Sequence, residues 1–204
     1  LKSIEKTELI EVFNSVFAEY FVKIELNETS FAEKIAAEKI SLEKSVGAFF
    51  EGRLVGFILI GIEGETSYNG GTGVLSDFRG NDLTGKMHEF ILPKLKADNF
   101  CSQQLEVITE NLGAIKSYEK IGFKKLRTLV CFKGKVAISK TNKDIELRVL
   151  DEIEESIFSS VWNAQPTWQN SVSAIKRTKK LHKIIGAFYD KEFVAYIIHT
   201  TAGR

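Results

Sequence analysis

The chain is short of the residues that punctuate, staple or charge a fold. Two prolines among 204 residues leave no proline-rich linker and no disordered signature. Its two cysteines, Cys101 and Cys131, have no repeating spacing, which excludes a disulfide scaffold and points to a reducing, cytoplasmic setting. Neither stands beside a histidine, so covalent thiol chemistry has no support. The three histidines, His88, His182 and His199, lack ligand spacing, and no metal is expected. A net charge of +1 gives no field to gather a polyanion, so neither nucleic acid nor an acidic membrane surface is an expected partner. Apolar runs such as Leu54 to Ile62 are broken by glycine and fall short of the roughly 20 residues of a membrane span. No basic-then-apolar leader is present, so secretion has no support.

What is present is an ordinary globular composition, 44% apolar and 27% charged, with length for one or two domains. Leu9, Val12, Phe13, Val16, Phe17, Tyr20 and Phe21 recur at three and four residues, predicting a helix from about Thr7. Ser30 with Glu33 reads as a capping box opening a second helix that buries Phe31, Ile35 and Ile40. The period then changes. Val46 to Phe50, a Glu51-Gly52 turn and Arg53 to Ile62 predict a hairpin. A third strand is expected over Tyr68 to Phe78, where Gly70, Gly71 and Gly73 suggest a bulge or a ligand lying close to the backbone. Leu83, Met87, Phe90, Ile91 and Leu95 line one side of a helix carrying Pro93, which predicts a kink. A short strand at Leu105 to Ile108 follows. Asn111 then caps a helix bearing Ala114, Ile115, Tyr118 and Ile121, which Gly122 ends. A closing strand is expected from Phe123 to Phe132.

Lys133 to Lys143 reads as a polar linker, and beyond it the pattern repeats. Val46-Gly47-Ala48-Phe49-Phe50 and Leu54 to Ile58 align with Ile185-Gly186-Ala187-Phe188-Tyr189 and Phe193 to Ile197 at a constant spacing. The same spacing lays an expected Thr167 to Lys179 helix over the Ser30 to Ile40 helix, and a strand at Ile145 to Val149 stands where a first strand belongs. Trp162 and Trp168 are expected to pack or to line a groove of this second copy. The basic run Lys176, Arg177, Lys179, Lys180, His182 and Lys183 reads as a solvated helix face.

The chemistry-bearing set is ordered along the first copy. A glycine-containing strand leads to Arg79-Gly80-Asn81-Asp82-Leu83-Thr84 at a helix start, then come Glu106, Asn111 and Tyr118. Outward N–H groups at a helix start carry about half a positive charge, which suits a diphosphate, and Arg79 adds to it. The segment Thr72 to Thr84 resembles the acetyl-CoA motif of the GNAT superfamily, Arg/Gln-x-x-Gly-x-Gly/Ala after a strand. Leu105-Glu106-Val107, Asn111, Ala114, Tyr118, Gly122 and Phe123 resemble that family's second motif. The resemblance implies an α/β fold, a mixed twisted sheet flanked by helices, in a GNAT domain at 1–135. A partial or truncated second GNAT-like domain at 144–204 would make a tandem repeat.

It further implies that acetyl-CoA serves as acyl donor to a primary amine, on a small molecule or a peptide N-terminus, in a bacterial-type cytoplasmic enzyme for which a homodimer is allowed. Carried over by position, the backbone at Thr72 and Val74 pairs with the pantetheine arm, and Arg79, Gly80, Asn81, Asp82, Leu83 and Thr84 wrap the diphosphate. Asn111 touches the pantetheine or shapes the site. An amine of pKa about 10.4 must lose a proton before it attacks. Glu106 is the candidate base, acting through water, and Tyr118 is the candidate acid for the departing thiolate. Direct transfer passes through a tetrahedral intermediate whose oxyanion is held by main-chain N–H near Val74. Two positions depart from the motif. Thr84 replaces a smaller residue, and Asp82 stands where glycine is expected, in a backbone conformation that other residues adopt at a cost. Its carboxylate would repel a diphosphate by about a kcal/mol or more unless screened. A degenerate module that binds or scaffolds without catalysis is the alternative reading.

Overall fold

The computed structural model describes residues 1–135 and 144–200, in two compact units, Leu1–Lys125 and Leu126–Arg204. In the first unit, helix α1 (Lys6–Phe17) and helix α2 (Glu28–Glu38) precede strands β1 (Val46–Phe50), β2 (Arg53–Glu63) and β3 (Thr66–Val74). Helix α3 (Leu83–Ala97), strand β4 (Ser102–Gln104) and helix α4 (Leu112–Ile121) follow. The sheet runs β1-β2-β3-β4, antiparallel except for the parallel β3–β4 pair. It is the expected mixed α/β arrangement, with α1 on one face and α3 on the other.

Sequence pattern explains the two layers. Leu9, Phe13 and Phe17 on α1 pack on Leu54, Phe57 and Leu59 of β2, and the Phe13 and Phe57 rings stack at 5.7 Å. The intervening β2 residues Ile58 and Ile60 face the other way, onto Met87, Ile91 and Leu95 of α3. β2 is therefore buried on both faces, which is why its sequence is nearly continuously apolar. Phe90, expected on that stripe, is exposed instead, with the Lys94 ammonium 4.5 Å above its ring. α3 runs on through Pro93 to Ala97.

Several expected boundaries move. The cap of α2 is Asn27, which accepts from the Ser30 N–H while the Ser30 hydroxyl accepts from the Asn27 N–H; Ser30 is the partner in that box rather than its start. β3 ends at Val74, and Ser76–Phe78 is a 3-10 turn. The short parallel strand lies at Ser102–Gln104 rather than Leu105–Ile108, because β3 offers it partners only at Thr66, Ser67 and Tyr68. No closing strand forms over Phe123–Phe132. The residues there pair with no strand, and Phe132 is 93% exposed.

The second unit holds strand β5 (Ile145–Val149), short helices α5 (Glu155–Ser159) and α6 (Val172–Arg177), and strands β6 (His182–Tyr189) and β7 (Glu192–Thr200). They form an antiparallel sheet in the order β5-β6-β7. The helix expected over Thr167–Lys179 is broken into a 3-10 turn at Trp168–Asn170 and α6, which Ser171 caps through the Ala174 N–H. Trp162 packs on a core of Ile153, Phe158, Val172, Ile175 and Ile184, and its indole N–H donates to the Tyr196 hydroxyl at 2.6 Å. Most of the expected linker, residues 136–143, and the terminal residues 201–204 lie outside the described residues.

The two hairpins match in detail. Val46 pairs with Ile58, Gly47 with Phe57 and Ala48 with Gly56, then the register slips and Phe49 pairs with Leu54. At the aligned positions Ile185 pairs with Ile197, Gly186 with Tyr196 and Ala187 with Ala195, then the register slips and Phe188 pairs with Phe193. Both turns hold two residues at positive φ, Glu51-Gly52 and Asp190-Lys191. A leucine covers the aligned glycine in each. The Leu1 nitrogen donates to the Ser45 carbonyl at 3.0 Å with its side chain over Gly47. The Leu150 N–H donates to the Ile184 carbonyl at 2.9 Å with its side chain over Gly186.

Candidate active site

The site begins where the sheet of the first unit comes apart. β3 pairs with β2 from Thr66 to Val74, but with β4 only as far as Tyr68, opposite Gln104. From Asn69 to Val74 the other edge of β3 has no strand beside it among the described residues. A sheet edge without a neighbouring strand is a place where an extended ligand can be accepted as an added strand. A bulge marks the transition. Leu59 faces Gly71 and Ile60 faces Asn69, leaving Gly70 as the extra residue. The glycine is required there, because a β-carbon on Gly70 would collide with the buried Glu38 carboxylate. Glu38 ends α2 and pairs with Lys34 at 2.6 Å.

Two expected residues stand on either side of this opening. The Tyr68 hydroxyl donates to Glu106 Oε2 at 2.8 Å, bridging the last paired residue of β3 to the segment leaving β4. Burial pushes the Tyr68 phenol well up from its usual value, and the negative charges of Glu106 and Glu38 push it further, so it stays a donor. Glu106 itself is exposed and open to water. Tyr118 projects from α4 toward the Thr72 and Asn69 side chains. Burial raises its pKa, and the polar groups of Thr72 and Asn69 partly offset the rise. Thr72 is also tied to Asn69, whose Oδ1 accepts from the Gly71 N–H at 3.1 Å.

α4 is fixed at both ends as its sequence predicts. Asn111 accepts from the Ala114 N–H at 3.1 Å, and Gly122, at φ 111°, takes the left-handed stop. Asn111 Nδ2 reaches the Tyr20 hydroxyl at 3.5 Å, a loose contact. Behind Tyr118 lies His88 of α3, fully buried, with its ring 6.1 Å from the tyrosine ring and 5.7 Å from Phe123. Its Nδ1 donates to the Thr84 carbonyl at 2.9 Å, the acceptor fixing the proton on that nitrogen. Burial lowers the His88 pKa, so the ring is neutral near pH 7.

The loop from the end of β3 into α3 supplies the other half of the site. Gly80 at φ 81° and Asp82 at φ 55° flank Asn81, which donates to the Phe78 carbonyl. Leu83 opens the helix and Thr84 lies in its first turn. Arg79 sits at the mouth of the loop, with Nε donating to the Val74 carbonyl at 3.1 Å. Its guanidinium is thus held at the end of the open edge. Asp82 takes the left-handed conformation that the glycine of the motif would take, and its carboxylate pairs with Lys120 of α4 at 2.8 Å. That pairing sets a positive charge against the carboxylate whose repulsion of a diphosphate the sequence predicts.

Tyr68, Glu38, Asn69 and His88 were not among the sequence candidates. Only the parallel β3–β4 register puts Tyr68 beside Glu106, and only the bulge puts Glu38 over β3. No spacing in the chain announces either contact.

The model of the acetyltransferase (GNAT) family matches residues 9–123, more than half of the chain and nearly all of the first unit. The chain belongs to that family. It is an acetyl-CoA-dependent N-acetyltransferase, and acetyl-CoA is its donor. No curated protein matches it by sequence. Among solved structures it is similar to a GNAT-family acetyltransferase of Staphylococcus aureus, at 20% identity, 61% of this chain, 83% of that one and a TM-score of 0.51. This likeness supports the fold alone. Also similar are the ribosomal-protein-S18-alanine N-acetyltransferase of Escherichia coli, at 18% identity, 61% and 76% coverage and a TM-score of 0.49, and Arabidopsis thaliana Naa50 in complex with a CoA–peptide bisubstrate analogue, at 26% identity, 62% and 83% coverage and a TM-score of 0.48. No helix among the described residues is long and apolar enough to cross a membrane.

Proposed function

We propose that the opening between β3 and β4 is where acetyl passes from acetyl-CoA to a primary amine by direct attack, in a ternary complex. The observation that carries this reading is the end of β3–β4 pairing at Tyr68, with Glu106 and Tyr118 on the two sides of the gap. The donor fits the residues present: the open peptide groups around Thr72 and Val74 match an extended amide-bearing arm. Gly80, Asn81, Asp82, Leu83 and Thr84 place main-chain N–H groups at a helix start for a diphosphate, and Arg79 adds charge. Asn111 shapes the wall on the α4 side. Bound there, the donor supplies an acetyl thioester.

Glu106 is exposed and receives the Tyr68 hydrogen bond on Oε2. It takes the proton of the incoming ammonium, directly or through water, so that a neutral amine attacks. Tyr118 keeps its proton at neutral pH because burial raises its pKa. As the C–S bond breaks, the phenol beside the open strand gives its proton to the leaving sulfur, and the second proton shed by the acceptor nitrogen as the amide forms restores the phenol. Main-chain N–H near Val74 meets the negative charge that develops on the carbonyl oxygen. The acceptor class is a primary amine, a small molecule or a peptide N-terminus, and the setting is cytoplasmic, with a homodimer compatible. The test is a screen of amines with acetyl-CoA, following free thiol, on the wild type and on Tyr118→Phe. Turnover with at least one amine and its loss in the variant is expected; equal turnover would remove Tyr118 from the reaction.

The second unit reads as the front of another such domain, giving domains at 1–135 and 144–204. The shared register, register slip, turn conformation and leucine-over-glycine contact support this reading.

A further inference from the structure

Asp82 places an acid on the loop read as the donor's diphosphate site, in the left-handed conformation that glycine adopts most cheaply. Its carboxylate leans over the first turn of α3, with Oδ1 2.7 Å from where a β-carbon on Gly85 would stand. An anion there competes for the N–H groups that an anionic ligand needs. The Lys120 ammonium closes on the other oxygen at 2.8 Å, and the Lys86 charge attracts the same carboxylate more weakly. Asp82 and Lys120 are both largely open to solvent, 54% and 71%, so their pairing adds little to folding stability. What it changes is the charge met by an arriving anion. Lys120 and Tyr118 stand two residues apart on α4, one reaching the loop and the other the open strand. One helix turn therefore joins the two halves of the site.

We propose that Lys120 is a positioning residue for the donor: by holding the Asp82 carboxylate it cancels the acid nearest the helix start and leaves Arg79 and the loop N–H groups to take the diphosphate. The inference rests on reading this loop as the diphosphate site. Lys120 then acts through Asp82 rather than on the ligand itself, and that distinction can be measured.

Acetyl-CoA affinity is determined by titration calorimetry on the full chain, as wild type, K120Q, K120R, D82G and the D82G/K120Q double variant, at low and at high salt. Circular dichroism of each variant confirms the fold. In the Asp82 background K120Q weakens binding by about tenfold at low salt, and K120R retains wild-type affinity. D82G binds at least as tightly as the wild type. In the D82G background, adding K120Q changes affinity by less than about twofold, and the tenfold loss shrinks as salt rises. An equal loss from K120Q in both backgrounds would mean direct contact with the ligand and would overturn the proposal, as would no loss in either. Wild-type protein that fails to bind acetyl-CoA at all would instead overturn the reading of the loop, and this inference with it.

Discussion

The β1–β2 and β6–β7 hairpins share register, register slip and turn conformation, yet their surroundings differ. β2 is buried on both faces because α1 covers one and α3 the other. β7 alternates between half-buried and exposed residues, and Ile197, aligned with the fully buried Ile58, is 58% exposed. α1 has twelve residues and α5 five. The hairpin thus takes the same register and turn in both units, and among the described residues helices cover both sheet faces in the first. In that unit α3 is also the element whose N-terminal loop carries Arg79 to Thr84 and whose His88 backs Tyr118. The segment that buries the second sheet face is also the one proposed to hold the donor.

Substitutions at the opening of the first unit should sharpen this contrast most. Tyr118→Phe and Glu106→Gln should each lower kcat by about 10²–10⁴-fold, the range of general acid–base assistance, with acetyl-CoA affinity unchanged by titration. A loss below about threefold would assign the residue to structure. Tyr68→Phe, which keeps the buried ring and deletes the hydroxyl that donates to Glu106, should lower kcat by about tenfold, less than Glu106→Gln. An effect on the KM for donor alone would contradict that position for Tyr68.

The aligned glycines test whether the two hairpins are packed alike. A β-carbon on Gly47 meets Leu1, Leu54 and Phe49 atoms at 2.6, 2.8 and 2.9 Å, whereas one on Gly186 meets Leu150, Phe188 and Phe193 at 2.9, 3.2 and 3.2 Å. Gly47→Ala should therefore destabilise by about 1–3 kcal/mol and Gly186→Ala by clearly less, read by urea unfolding. Reversed order would show that the leucine cover differs between them.

The smallest effect concerns pH. Burial lowers the His88 pKa in the folded protein, so the unfolded chain binds a proton that the folded one does not. Stability from this residue is present above the ordinary histidine value of about 6.5 and declines as pH falls below it. The thermal midpoint of the wild type should fall over that window, and His88→Phe should flatten the decline. An unchanged slope would assign the loss to other groups.

Much of this was legible from residues alone. The apolar periods of α1 and the β1–β2 run, the Asn111 and Gly122 caps of α4 and the bulge at Gly70 all follow from local rules. Thr72 to Thr84 and the Glu106-to-Tyr118 spacing pointed to residues that the structure sets around the end of β3–β4 pairing. What could not be read depends on partners distant in the chain. β4 falls at Ser102–Gln104 because of where β3 offers hydrogen bonds, and Phe123–Phe132 pairs with none of the strands. Tyr68 meets Glu106, and Lys120 meets Asp82, only after the sheet and helices have assembled. The Thr167–Lys179 helix failed because Ser171 caps a new turn within it.

Amide hydrogen exchange, with and without saturating acetyl-CoA, reads the open edge of β3 itself. Exchange should slow at Gly70 to Val74 and at Gly80 to Thr84, and stay unchanged in β6 and β7. Protection that appears in the second unit, or none in β3 while the donor is bound, would contradict that expectation.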